Sequence, residues 1–269
     1  MSLNCGFPVL NIRYINIGKR RDNVSMAKLF LHGVPDTPYV WRPLLAALHL
    51  DEGDYAAPHM PGFGVPLPPG FVASKEAYVD WLINQIEHLY ALSGPVDVIG
   101  HDWGAILCVR AAQLRPDLIR SWAVSNAVPE PTYKWHCAAR MWQTPLLGEF
   151  AMAMLGKARA EKVLIESAMP ADMAKVEAAY IDKDMKRAIL ALYRSAKNMA
   201  DEWGNNLSNL PEKGLVIWGE TDPFVTIETA RRFCDRTGMP LHIEKNAGHW
   251  AIAERARSIA MQLQDFWGE

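Results

Sequence analysis

The sequence predicts an α/β fold: a mostly parallel central sheet flanked by helices, interrupted by an all-helical insertion. Three observations carry this. Short apolar runs alternate with longer amphipathic stretches along the 269 residues, the βαβα rhythm of a parallel sheet with helical crossovers. The run PVDVIG at 95–100 passes directly into a glycine-flanked turn and then a helix-forming stretch. Residues 130–205 carry no strand pattern, although one crossover needs only roughly a dozen residues.

Taken in order, AKLFLHG (27–33) reads as a strand running into a loop. A helix over 39–49 would put Trp41, Leu44, Leu45 and Leu48 on one face. DYAAPHMPGFG (54–64) reads as a strand ending in a Pro/Gly turn, and 75–92 as a strong amphipathic helix. The strand at 95–100 is followed by a helix over 103–115, stopped by Pro116. SWAVSN (121–126) and GLVIWG (214–219) are further strands. Pro240 opens a last strand, LHIEKN, which leads to Gly248-His249 and a closing helix over 253–266. The stretch 130–205 is rich in Met, Ala and Leu and reads as helical throughout, punctuated at Pro145, Gly148, Gly156, Pro170 and Gly204. The expected organisation is a core of 1–129 and 206–269, with 130–205 as a helical cap inserted after the sixth strand, lacking a core of its own.

Composition narrows the function. Half of the residues are hydrophobic and 22% charged, ordinary for a globular enzyme. The net charge of −2 provides no basic footprint and argues against nucleic acid or an anionic membrane as partner. No apolar run approaches the roughly 20 residues of a membrane span, and residues 1–22 lack the charged-then-apolar layout of a secretion signal. Cys5, Cys108, Cys137 and Cys234 are far apart, without Cys-x-x-Cys or zinc-ligand spacing. They fit buried thiols in a reducing compartment. The expectation is a cytoplasmic monomer or homodimer without a zinc site. Ten tryptophans and twelve methionines are unusual. They read as a bulky core, with a large apolar pocket as the alternative.

The chemistry is concentrated in Gly100-His101-Asp102-Trp103-Gly104. Gly-x-Ser-x-Gly is the tight strand-to-helix turn that exposes a serine nucleophile above a sheet. Here the exposed group is a carboxylate, ionised at neutral pH and needing no base to activate it. A carboxylate attacking saturated carbon leaves an ester that water can cleave, whereas serine would leave a stable ether. The pattern therefore points to alkyl electrophiles such as epoxides or alkyl halides. An acid and then a histidine should follow in chain order. WGETDPFV supplies Asp222 just past a strand end, and NAGHW supplies His249 in the loop after the last strand. The assignment is that Asp102 attacks, His249 activates water and Asp222 orients the imidazole. Glu220 is too close to its strand end to serve as the acid. The loop after 121–126 (Ser125-Asn126-Ala127) offers no carboxylate until Glu130. Two backbone N–H donors for an oxyanion are expected from Trp103 and from Val34 in His32-Gly33-Val34-Pro35. Pro35 restricts Val34 to an extended conformation and admits a cis bond. His32 is read as more structural than catalytic and is kept as a pocket candidate.

His-Gly-x-Pro at 32–35, Pro-Gly-Phe-Gly at 61–64, Gly-His-Asp-Trp-Gly at 100–104, Gly-Glu-x-Asp-Pro at 219–223 and Gly-His at 248–249 together resemble the epoxide hydrolase and haloalkane dehalogenase branch of the α/β-hydrolase superfamily. The resemblance spans nearly the whole chain. It implies an α/β-hydrolase fold and a cofactor-free, two-step hydrolysis through an alkyl-enzyme ester at Asp102, beneath a helical cap. For epoxides it further implies acidic hydroxyls from the cap. Tyr193, in Leu192-Tyr193-Arg194-Ser195, looks like one of them, while Tyr133 and His136 compete for the other. For halides, Trp103 with Trp135 or Trp142 would supply indole N–H donors. Val34 stands where some dehalogenases carry a halide-binding Asn, which counts against that subtype. Arginines that grip a carboxylate substrate are absent after the nucleophile, where Trp103 and Ile106 stand. The favoured reading is epoxide hydrolysis of a small apolar substrate, with haloalkane dehalogenation as the alternative. A non-catalytic ligand-binding relative and cofactor-free oxygenation are the weaker readings.

Overall fold

The computed structural model describes residues 27–51 and 53–269. Cys5 and the absence of a secretion signal concern residues outside that range. Six parallel strands form a single sheet in the order β2-β1-β3-β4-β5-β6. They are β1 (Lys28–Leu31), β2 (Tyr55–Ala56), β3 (Val96–His101), β4 (Ile119–Ser125), β5 (Gly214–Gly219) and β6 (Leu241–Glu244). Every residue of β1, β3 and β5 is buried, while the edge strands β2 and β6 are mostly half-buried. Helices cover both faces of such a sheet, so its central strands need no polar alternation.

Between strands lie α1 (Arg42–Ala47), α2 (Lys75–Ser93), α3 (Trp103–Leu114) and α10 (Ile227–Thr237), and the chain closes with α11 (Ala251–Glu254) and α12 (Ala256–Trp267). α2 is the element most legible locally. Ser74 caps it by accepting from the Ala77 N–H, Tyr78, Val79, Leu82, Ile86 and Leu89 are buried along one face, and Gly94 ends it. No pattern assigned above covers α10, although Ala230, Phe233 and Cys234 form its buried face and left-handed Gly238 terminates it.

Three expected elements are corrected. The strand expected over 54–64 pairs only through Tyr55–Ala56, because Pro58 and Pro61 cannot donate to a ladder. The remainder becomes a loop held by the Tyr78 hydroxyl donating to the Pro61 carbonyl at 2.6 Å. The helix expected over 39–49 begins as a 3-10 turn, Pro38–Trp41, before α1. The single closing helix is broken at Arg255 (φ −120°, ψ 31°) into α11 and α12.

Between β4 and β5 there is no strand among the described residues. α4 (Cys137–Gln143), α5 (Leu147–Met154), α6 (Lys157–Glu166), α7 (Ala171–Tyr180), α8 (Lys183–Ser195) and α9 (Met199–Gly204) occupy that interval. Residues 130–136 are turn and irregular backbone, so the stretch is not helical throughout. β4 is the fourth strand among the described residues, and a count to a sixth strand depends on residues outside them. These helices are tied to the core by polar contacts. Asp184 accepts from the Leu67 N–H at 3.2 Å, Ser195 from the Lys75 N–H at 2.9 Å, and buried Lys75 reaches Glu202 at 2.7 Å. The Thr37 hydroxyl donates to buried Glu177 at 3.2 Å. No helix among the described residues is long and apolar enough to cross a membrane.

Candidate active site

Asp102 sits where β3 hands over to α3, at φ 50° and ψ −122°. A residue with a side chain holds this conformation only where its surroundings enforce it. A Cβ on Gly104 would collide with the Leu31 and His32 carbonyls, and one on Gly33 with the Asp102 side chain. Their absent side chains let β1, the turn and the 32–36 loop approach this closely.

That approach brings two amides to the carboxylate. Asp102 Oδ1 accepts from the Val34 N–H at 2.8 Å, and the Trp103 N–H also bonds the carboxylate. The Val34–Pro35 bond is cis. Asp102 Oδ2 faces His249 Nε2 at 3.5 Å, and His249 Nδ1 lies 2.7 Å from Asp222 Oδ2. Asp222 follows β5 in a turn. Its Oδ1 accepts from the Phe224 and Val225 N–H groups at 2.8 and 3.0 Å. Glu220 instead accepts from the Asn246 N–H at 3.1 Å, away from the imidazole.

The electrostatics follow from this arrangement. Burial works against a charged His249, but the charge of Asp222 and the hydrogen bonds to Asp102 and Asp222 outweigh it, raising the pKa to about 10. Burial likewise works against an ionised Asp102, and contact with His249 overcomes it, so this carboxyl lies below its ordinary value. Both shifts run in the direction that favours a charged imidazole facing an ionised Asp102.

Aromatic rings roof the site. Tyr193 of α8 is 3% exposed and meets Trp103 edge-on at 5.4 Å between centroids, Trp142 of α4 at 4.9 Å and Trp135 at 5.4 Å. Trp135 stacks on Trp103 at 5.9 Å and 19°, with Tyr133 edge-on to it at 5.4 Å. Burial pushes the Tyr193 phenol far up and the Asp102 charge adds to this, while a hydrogen bond from the Trp103 side chain works the other way. Burial and Asp102 also raise Tyr133. His136 caps α4, its Nδ1 accepting from the Ala139 N–H at 3.3 Å. Burial lowers His136, partly offset by Asp102. Phe224 bridges His136 at 5.2 Å and His249 at 5.0 Å.

His32 is completely buried. Its Nδ1 donates to the Gly33 carbonyl at 2.9 Å and its Nε2 accepts from the Met60 N–H at 3.0 Å, so both ring nitrogens are spent on the loop. Complete burial holds it neutral, at a pKa of about 3. Three further residues matter to which the motifs assigned no role. His101 Nε2 donates to the His249 carbonyl at 3.0 Å, with Nδ1 3.2 Å from Asp36, which also accepts from the Trp250 indole at 3.1 Å. Asn126 donates to Asp222 at 2.8 Å. The Ser125-Asn126 pair was visible as the loop lacking a carboxylate. His101 lies inside Gly-His-Asp-Trp-Gly and Asp36 adjoins His-Gly-x-Pro, but neither motif announces the contacts these side chains make.

This geometry sits on a fold with known relatives. Residues 29–261 match the model of the alpha/beta hydrolase family, and the chain belongs to that family. A haloalkane dehalogenase from Mycolicibacterium paratuberculosis is 28% identical over 141 residues, 49% of this chain and 46% of that protein, so this match spans just under half of the relative. Epoxide hydrolase 3 of Xenopus tropicalis is 22% identical over 97% of this chain and 75% of its own length. The crystal structure of an epoxide hydrolase from Vigna radiata superposes with a TM-score of 0.70 at 19% identity, covering 91% of both chains, which is a likeness of fold. The relatives named epoxide hydrolase and haloalkane dehalogenase are enzymes of this alpha/beta hydrolase type, and hydrolases of other names match as well.

Proposed function

We propose that the protein hydrolyses a neutral, apolar epoxide to a vicinal diol through an ester on Asp102. The observation carrying this reading is the Asp102 carboxylate, held by two backbone amides, 3.5 Å from a charged His249, with the Tyr193 phenol in its field. Asp102 attacks the epoxide carbon, and the ring C–O bond breaks. Tyr193 protonates the departing alkoxide, and Tyr133 is the second candidate donor. Ester formation removes one of the two negative charges that hold the proton on His249. That proton then returns to the phenolate, leaving a neutral imidazole. His249 takes a proton from water, whose oxygen adds to the ester carbonyl while the Val34 and Trp103 amides hold the oxyanion. The tetrahedral intermediate expels the diol and restores the carboxylate–imidazolium pair. Hydrogen and charge balance over the cycle as epoxide plus water to diol.

Halide displacement is the second reading, supported by the indoles of Trp103, Trp135 and Trp142 gathered around Tyr193. Against it, Val34 stands where some dehalogenases carry a halide-binding Asn. Incubating His249→Gln with a panel of epoxides and alkyl halides, read by intact mass and by the Asp102 peptide, tests both readings. Adducts with epoxides support the first, adducts with halides alone support the second, and no adduct with either class refutes the nucleophile assignment. Asp102→Asn should give no adduct and no turnover while remaining folded.

A further inference from the structure

We propose that Asn126 is a positioning residue that sets the basicity of His249 through Asp222 and thereby governs ester hydrolysis without affecting ester formation. The inference rests on the two-step reading above.

Asn126 follows β4, is completely buried and has φ 61°. Glycine is the usual occupant of that conformation, with Asn among the few side chains that accept it. Here both ends of the side chain are used. Its amide nitrogen donates to Asp222 Oδ2 at 2.8 Å, the same oxygen that lies 2.7 Å from His249 Nδ1. It also reaches the carbonyl of Gly248, the residue before His249, at 3.4 Å. Its carbonyl oxygen accepts from the Ser125 hydroxyl at 2.7 Å, which orients the amide so that nitrogen faces the acid. One side chain therefore ties β4 to the acid after β5 and to the loop after β6.

The division of labour on Asp222 makes this consequential. Oδ1 is satisfied by two backbone amides, and Oδ2 is shared between Asn126 and the imidazole. A donated hydrogen bond draws charge from the oxygen that attracts the imidazolium, so Asn126 weakens the hold on the His249 proton. Four other titratable groups surround that ring. Asp222 and Asp102 favour its charge, His136 stands on the cap side and is itself lowered by burial, and His101 packs at 5.0 Å between centroids. Once Asp102 is esterified, Asp222 is the remaining carboxylate on His249, and the donor on its shared oxygen decides whether the imidazole is free to act as base.

Asp102→Asn removes the same charge that esterification removes. Titrating the His249 ring by NMR in that background, with and without Asn126→Gly, measures the coupling directly. Glycine keeps the left-handed backbone without strain and removes only the amide. An upward shift of about half to one unit is expected. In enzyme with Asp102 intact, Asn126→Gly should leave the rate of ester formation within about twofold. Hydrolysis should slow by roughly 10- to 100-fold at neutral pH, with the ester accumulating by mass and its acid limb moved upward. An unshifted ring, or an equal loss in both steps, overturns the proposal. Should His249→Gln capture no electrophile, the two-step reading fails, while the ring titration still decides whether Asn126 acts on His249.

Discussion

His249 Nε2 stands 3.5 Å from Asp102 Oδ2, a longer reach than the 2.7 Å that separates its Nδ1 from Asp222. The closer carboxylate keeps its charge throughout the proposed cycle, and the farther one loses it on becoming an ester. The imidazole is therefore held charged by a partner that the first chemical step removes.

A pH dependence follows for each half-reaction. Asp102 lies below its ordinary value, and His249 is raised to about 10. Ester formation should thus be flat across neutral pH and fall only in acid, as Asp102 is protonated. Hydrolysis needs a neutral imidazole, so its rate should rise with pH up to the lowered pKa of His249 in the ester. Rapid-quench mass measurement of ester formation and decay from pH 5 to 9 checks both limbs.

The same shift acts on stability. The folded pKa of His249 lies above the unfolded value of about 6.5, so its contribution is complete below 6.5 and is lost as pH rises through about 10. Wild-type Tm should decline over that window, and His249→Gln should flatten the decline. A thermal melt series at constant ionic strength reports the difference.

Tyr193 should matter to one electrophile class more than the other. Replacing it with Phe keeps the edge-on packing against Trp103 and Trp142 and removes the proton donor. Epoxide opening should slow by roughly 10²-fold, the scale of one general acid. Any halide displacement should change far less, which parallel single-turnover assays would reveal. An equal loss for both classes would reduce Tyr193 to a wall of the pocket.

Glu177 of α7 meets the core through Thr37, with the charge of Asp36 nearby. Burial first, then Asp36, pushes its carboxyl up to about 9, so the folded protein holds it protonated. Its favourable contribution is complete below the unfolded value of about 4.5 and is lost as pH rises toward 9. Glu177→Gln should therefore stabilise the protein increasingly over that range, by roughly 1–3 kcal/mol near pH 8. Denaturant unfolding at pH 5 and pH 8 checks the trend.

Much of this molecule is legible along the chain because its signals are local. β5 lies at 214–219 as its apolar run predicts, and α2 carries its cap, buried face and terminating glycine within one continuous segment. Four of the five motifs hold Asp102, Asp222, His249, Val34 and Trp103, and the fold brings these five together. The 130–136 segment escapes, because its irregular backbone carries Tyr133 and Trp135 into an aromatic stack that no helical periodicity announces. His32 escapes in the other direction. Its place in a motif marks it as interesting, and only the Met60 and Gly33 contacts show both nitrogens committed to the loop.

By itself the sequence determined the parallel α/β class, the carboxylate at the strand-to-helix turn and the order in which acid and histidine follow. Those properties reside in residue identity, short spacing and periodicity, which survive without knowledge of any distant neighbour. Tertiary structure alone decided the charge state of His249, the use of Asn126 on Asp222 and the burial of Glu177 beside Asp36. Each depends on side chains tens of residues apart meeting where water is excluded, and there a charge or hydrogen bond gains a weight that it lacks in an unfolded chain.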